Sequence, residues 1–312
     1  MSRLTRMSSF LFVVLSSVST QAQGPQWQTL NTEIVSLSQQ GLYDQAVAVA
    51  MKAVSIAEQA GGPDHPLVAV SLNNLALLYK TQGRYSVAGI FYERALEIKE
   101  KTLGPQHPNV ALGLNNLAEV CHMQGNDTRA QSLYKRALMI KEKTLGPNHL
   151  SVATTLNNLA ALYLAHGEYA QAEPLYKRAL AIREKALGKD DPAIATSLDN
   201  LASLYEAQNR YSQAESLYRR ALDIREKTLG VEDPAAAVSL DNLGGLYEAQ
   251  GLHGRAELFY NRSLRIREKS LGMDHPSVAT SLEKIAALYR ASGREKSATA
   301  LEARAAAIRA AK

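Results

Sequence analysis

The sequence holds one cysteine, Cys121, in 312 residues, so no disulfide within the chain holds the fold together. Motifs for the common chemistries are missing as well. There is no phosphate-binding loop, no dinucleotide glycine pattern, no GxSxG, no HExxH and no CxxC, which speaks against an enzyme with a familiar site. The apolar run from Phe10 to Val18 is about half of what a membrane-spanning helix needs. No Pro-, Gly- or Ser-rich linker interrupts the remainder, and aromatic residues make up only 6%. Charge is modest too: +5 over the whole sequence, and +3 once Arg3 and Arg6 are removed with a leader that contains no acid. So small a surplus gives no case for nucleic acid.

What the sequence does have is a period. His65, His107, His149, Asp191, Asp233 and His275 open six successive copies of 42 residues, and no copy has gained or lost one. A single fixed period marks a stacked repeat with one continuous core, in which each unit touches only its neighbours.

Within a copy the apolar residues keep helical spacing. Val152, Leu156, Leu159, Ala160 and Tyr163 make one face of a first helix, and Ala172, Leu175, Tyr176, Ala179, Leu180 and Ile182 one face of a second. Gly167 separates them; its equivalents are Gly83, Gly125, Asn209, Gly251 and Gly293. Asn is the other residue that tolerates the left-handed end of a helix, so a backbone geometry is being kept. At the front, Pro66, Pro108, Pro192, Pro234 and Pro276 suit a first helical turn, each preceded by a His or Asp. The unit is a helix–turn–helix hairpin.

Leu156, Leu159, Ala160, Tyr163, Gly167, Tyr169, Ala172, Tyr176 and Ala179 have a spacing that resembles the tetratricopeptide repeat. The usual repeat has ~34 residues, and the extra length here falls on the second helix. With LNNLA in the first helix and YKRALxIREKxLG in the second, this longer form is similar to the kinesin-light-chain subtype. The resemblance covers residues 65–312. It implies an all-α fold, a right-handed superhelical solenoid of about seven helix-turn-helix repeats, and it names no partner, because such repeats serve many.

The ends depart from the pattern. Residues 1–22 carry Arg3 and Arg6, the short apolar run, then Ser19, Thr20 and Ala22. This is the plan of a secretory signal peptide cut after Ala22, with an uncleaved membrane anchor as the alternative. Residues 23–64 read as a degenerate N-terminal capping repeat, with Glu33 where later copies carry Leu. Residues 65–274 hold five full units, and residues 275–312 a C-terminal capping repeat with Glu302 in place of the packing Tyr. Cys121 takes the place of Tyr79 and Tyr163, as a small buried hydrophobe.

Candidate functional residues sit at fixed repeat positions. The histidines at the repeat openings suit capping better than metal binding, since equivalent sites in stacked hairpins lie roughly 10 Å apart. The basic run of the second helix, as at Tyr176–Lys185, alternates in sign at its end and reads as a solvated outer face. In tetratricopeptide arrays the first helices line a concave groove. The resemblance therefore places there an asparagine ladder, Asn74, Asn116, Asn158, Asn200 and Asn242. Its amides can donate to and accept from a peptide backbone, or tie neighbouring repeats together. Beside it a second stripe turns acidic along the chain, and Asp199, Glu206, Asp241 and Glu248 point to a segment carrying Lys or Arg, unless they pair with Arg210 or Arg220. The expectation is an exported, non-catalytic scaffold that holds a peptide or protein segment, with no cofactor, metal or small-molecule substrate. The alternative is an assembly role through self-association.

Overall fold

The computed structural model describes residues 25–311, so the expected signal peptide lies outside the described residues. Those residues form fourteen α-helices and no strand. In order they are Pro25–Gln39 (α1) and Tyr43–Gly61 (α2), Pro66–Thr81 (α3) and Tyr85–Leu103 (α4), Pro108–Met123 (α5) and Asp127–Leu145 (α6), and Leu150–Ala165 (α7) and Tyr169–Leu187 (α8). Then follow Pro192–Ala207 (α9) and Tyr211–Leu229 (α10), Pro234–Ala249 (α11) and His253–Leu271 (α12), and Pro276–Ala291 (α13) and Glu295–Ala310 (α14). From α3 to α12 the first helix of each pair has 16 residues and the second 19.

The chain divides into two compact units between Leu162 and Tyr163, within α7. In the first unit, successive helices from α1 to α6 pack on one another. In the second the same holds from α8 to α14, and α9 also approaches α11, with Cα atoms within 8 Å. Contact between chain neighbours is the packing of a stacked repeat.

Small residues on one helix meet large ones beside them. In the first unit Ala76, Ala88, Tyr92 and Ala95 are buried, and in the second Ala202, Ala214, Tyr218 and Ala221. Cys121 is buried in the core as the sequence implies. The last pair shows why equivalence to Tyr fails at the end: Glu302 accepts from Arg290, at 2.6 and 2.8 Å, instead of packing. At the other end Glu33 is exposed, while Trp27 donates its indole N–H to Ser71 at 2.8 Å and ties α1 to α3.

Each repeat opening is an N-cap. The ring nitrogen Nδ1 of His65, His107, His149 and His275 accepts from the backbone N–H two residues on, at 3.1–3.3 Å, and Asp191 and Asp233 do so through Oδ1 at 2.8 and 2.9 Å. The two glycine positions differ in what they allow. Asn209 adopts φ 57° where its equivalents are glycine, an ordinary left-handed conformation. The second position, exemplified by Gly230 at φ 100° and ψ 153°, lies in a region essentially closed to any side chain.

Candidate functional site

A row of cations that looks exposed in the sequence is buried. Lys99, Lys141 and Arg225 are 4–7% exposed, and Arg183 and Arg267, at the equivalent places, are half-buried. Each opens the charged run of a second helix. Lys141 donates to Thr155 Oγ1 at 2.8 Å and to the Ser151 carbonyl at 3.3 Å. Arg183, Arg225 and Arg267 donate to the hydroxyls of Ser197, Ser239 and Ser281 on the next first helix. The solvated-face reading therefore holds for only part of the run. Its next residue also ties repeats together: Glu58, Glu100, Glu184, Glu226 and Glu268 pair with Arg94, Arg136, Arg220, Arg262 and Arg304 at 2.5–2.7 Å.

The acids of the first helices divide into two kinds. Asp199 is buried and pairs with Arg225 at 2.5 Å. Asp241 is buried between Arg267 at 2.8 Å and Lys284 at 2.9 Å. Burial pushes the Asp199 carboxyl above its usual range, while Arg225 and the Asn242 amide act against that. These two carboxylates are thus neutralised inside the chain, by arginines of their own repeats. Arg210 and Arg220 pair elsewhere, with Glu173 at 2.8 Å and Glu184 at 2.6 Å.

Glu206 and Glu248 are the other kind. Each is half-buried and held by a tyrosine hydroxyl, Tyr218 donating to Glu206 at 2.9 Å and Tyr260 to Glu248 at 2.7 Å. Neither has a cationic partner among the described residues. Burial raises the Glu206 pKa, the Tyr218 hydroxyl lowering it in part. Beside Glu248 the wall is thin. A Cβ on Gly244 would come within 2.5 Å of the Tyr260 ring, and one on Gly245 would stand 3.6 Å from the Tyr260 hydroxyl.

The asparagine ladder is half-buried throughout. Asn74 donates to Asn31 and Asn116 to Asn73, both at 3.0 Å and both toward the preceding repeat. Asn242 supports Asp199. The side chains of Asn158 and Asn200 make no hydrogen bond among the described residues. Tying repeats together is therefore an observed role for three of the five. No group of three or more His, Cys, Asp or Glu among the described residues could hold a metal ion, and no described helix is long and apolar enough to cross a membrane.

The family model described as tetratricopeptide repeat matches in six overlapping stretches, residues 28–101, 88–143, 114–185, 151–227, 194–269 and 235–311. The chain belongs to the tetratricopeptide-repeat family. Among solved structures, this tetratricopeptide-repeat chain is similar to BtubC (BKLC) from P. vanneervenii, at 26% identity over 74% of this chain and 91% of that one, with a TM-score of 0.59. It is also similar to a putative kinesin light chain of Podosopora anserina with nearly identical repeats, at 29% identity over 66% of this chain and 98% of that one, TM-score 0.57. The apo quorum sensor NprR from B. thuringiensis shares the fold at 16% identity, over 91% of this chain and 77% of that one, TM-score 0.69. No curated protein sequence matches this chain. The kinesin-light-chain-like members among these neighbours agree with the long second helix. A tetratricopeptide fold is that of a protein-interaction scaffold.

Proposed function

We propose that the chain is an exported, non-catalytic scaffold that holds an extended peptide or protein segment along its first-helix face, with a preference for segments carrying Lys or Arg. The observation that carries this reading is the pair Glu206 and Glu248, which tyrosine hydroxyls hold and which have no cationic partner among the described residues. Elsewhere in the second unit the comparable acids Asp199, Asp241, Glu173, Glu215 and Glu257 all have basic partners. Asn200, whose amide is uncommitted, can bond a segment's backbone on the same helix as Glu206. Each exposed ion pair contributes only ~0.2–1 kcal/mol, so affinity is modest and falls with salt.

Selection from a random peptide library on the purified chain, with light scattering in parallel, tests this. Enrichment of basic peptides by a chain of constant mass is the expected result. Growth of mass with concentration and no enrichment supports the assembly reading instead. Export is checked separately, by the N-terminus of the protein recovered outside the cytoplasm: a start near Gln23 is expected, and an intact Met1 there rejects cleavage.

A further inference from the structure

We propose that Lys99 and Asn73, where α3, α4 and α5 meet, hold a small monovalent anion of halide size. The site lies within the first unit and is independent of the reading above. Lys99 stands at one repeat position with Lys141, Arg183, Arg225, Arg267 and Arg309. Each of the other five has an acceptor within the chain. Lys141 donates to Thr155, and Arg183 to Ser197. Arg225 and Arg267 each have a serine hydroxyl and an aspartate, and Arg309 has Glu283. Lys99 is only 6% exposed, yet it has no hydrogen bond or ion pair among the described residues.

Both places that supply the acceptor elsewhere have changed. The hydroxyl place, 14 residues after the cation, is Gly113. The Lys99 stem lies over that glycine, its Cδ 3.9 Å from where a Cβ would be, and Leu96 Cδ1 covers the same point at 3.2 Å. That side of the lysine is therefore apolar. The acid place, 26 residues before the cation, is Asn73. In three other copies the residues at these two places touch: Asp199 with Arg225, Asp241 with Arg267 and Glu283 with Arg309, at 2.5–2.8 Å. Asn73 brings no charge, and its oxygen already accepts from Asn116 at 3.0 Å. Its Nδ2 makes no hydrogen bond among the described residues. An ammonium and an amide N–H are both donors, and neither answers the other.

The acids of α4 and α5 do not make up the difference. Glu93, Glu100 and Glu119 are paired with Arg129, Arg136 and Lys80. Glu97 is exposed, and residues two apart on a helix do not face each other. Burial lowers the Lys99 pKa to about 8, so the group still carries its charge at pH 7. A buried charge calls for a counter-charge as well as a hydrogen bond. Water offers an acceptor without charge, whereas an anion offers both. With so little of Lys99 exposed, an ion of one atom reaches it and a peptide side chain or bulky oxyanion does not. The ion takes the part that the Asp199 carboxylate takes for Arg225.

Chlorine-35 NMR linewidths of sodium chloride solutions containing the purified chain at pH 7 test this, with urea unfolding in parallel. The parent is expected to broaden the chloride signal, with bromide competing and methanesulfonate, a bulky monovalent anion, not competing. Asn73→Asp keeps an oxygen for Asn116 and supplies the charge that Asp199 supplies elsewhere, so it removes most of the excess broadening. Lys99→Met removes it as well, with unchanged helical circular dichroism. In urea, exchanging methanesulfonate for chloride at constant ionic strength raises the unfolding midpoint of the parent and of neither variant. Equal broadening by the parent and both variants means an adventitious ion only and overturns the site. So does a parent that leaves the chloride signal unbroadened.

Discussion

At the scale of single residues the buried charges decide what the first-helix face can offer. Asp199 and Arg225 form a pair with little exposure on either side. Removing one partner of such a pair leaves a buried charge without compensation, at about 3–5 kcal/mol. Asp199→Ala should therefore lower unfolding stability by about that amount, and Asp199→Ala with Arg225→Met should recover most of it. Chemical denaturation of the parent, the two single variants Asp199→Ala and Arg225→Met, and the double variant checks this. Lys99 gives a pH signature. Burial lowers its pKa to about 8, and Gly113 stands where other copies present a hydroxyl to the equivalent cation. Between pH 8 and the unfolded value of about 10.4, the unfolded chain binds a proton that the folded chain lacks. Stability from this group thus rises with pH across that window. Lys99→Met should be more stable than the parent at pH 7, and the difference should shrink toward pH 10 in paired denaturation curves.

At the scale of the helix, the caps were legible in the sequence and the inter-repeat polar contacts were not. Pro after His or Asp announces a helix start by itself, and the structure places those side chains on the free N–H groups. A glycine replaced only by Asn209 announces its φ in the same local way. Arg225 gives no such local notice, because its partners stand 26 residues before it and 14 after it, on two other helices. Comparison between copies gives only a partial signal: Asn115 with Lys141 becomes Asp199 with Arg225, but the copy between them keeps Asn157 with Arg183. Read on its own helix, the change at Asp199 looks like an invitation to an outside cation. Read with Arg225, it is an internal exchange of a polar contact for an ion pair. Cap strength can be measured directly. His107→Ala should cost about 0.5–2 kcal/mol, and His107→Asp, the residue used at the equivalent Asp191, should cost nothing. Thermal or chemical unfolding of both variants checks it.

At the scale of the molecule, the repeat assigns different tasks to its two kinds of helix. Second helices are joined to one another by Arg–Glu pairs such as Arg262–Glu226, at 2.5 Å, and hold the buried cations. First helices carry the amides and the two uncompensated glutamates. The fold and its seven hairpins followed from the period, whereas the division of acids into spent and free needed the side-chain partners. We propose the first-helix face of the second unit as the binding surface. Hydrogen exchange on the purified chain, with and without a saturating lysine-bearing peptide, tests it most directly. Added protection in α9 and α11, lost when Glu206 and Glu248 are changed to Gln, is the predicted result. Protection gained instead along α10 and α12, with α9 and α11 unchanged, would contradict it.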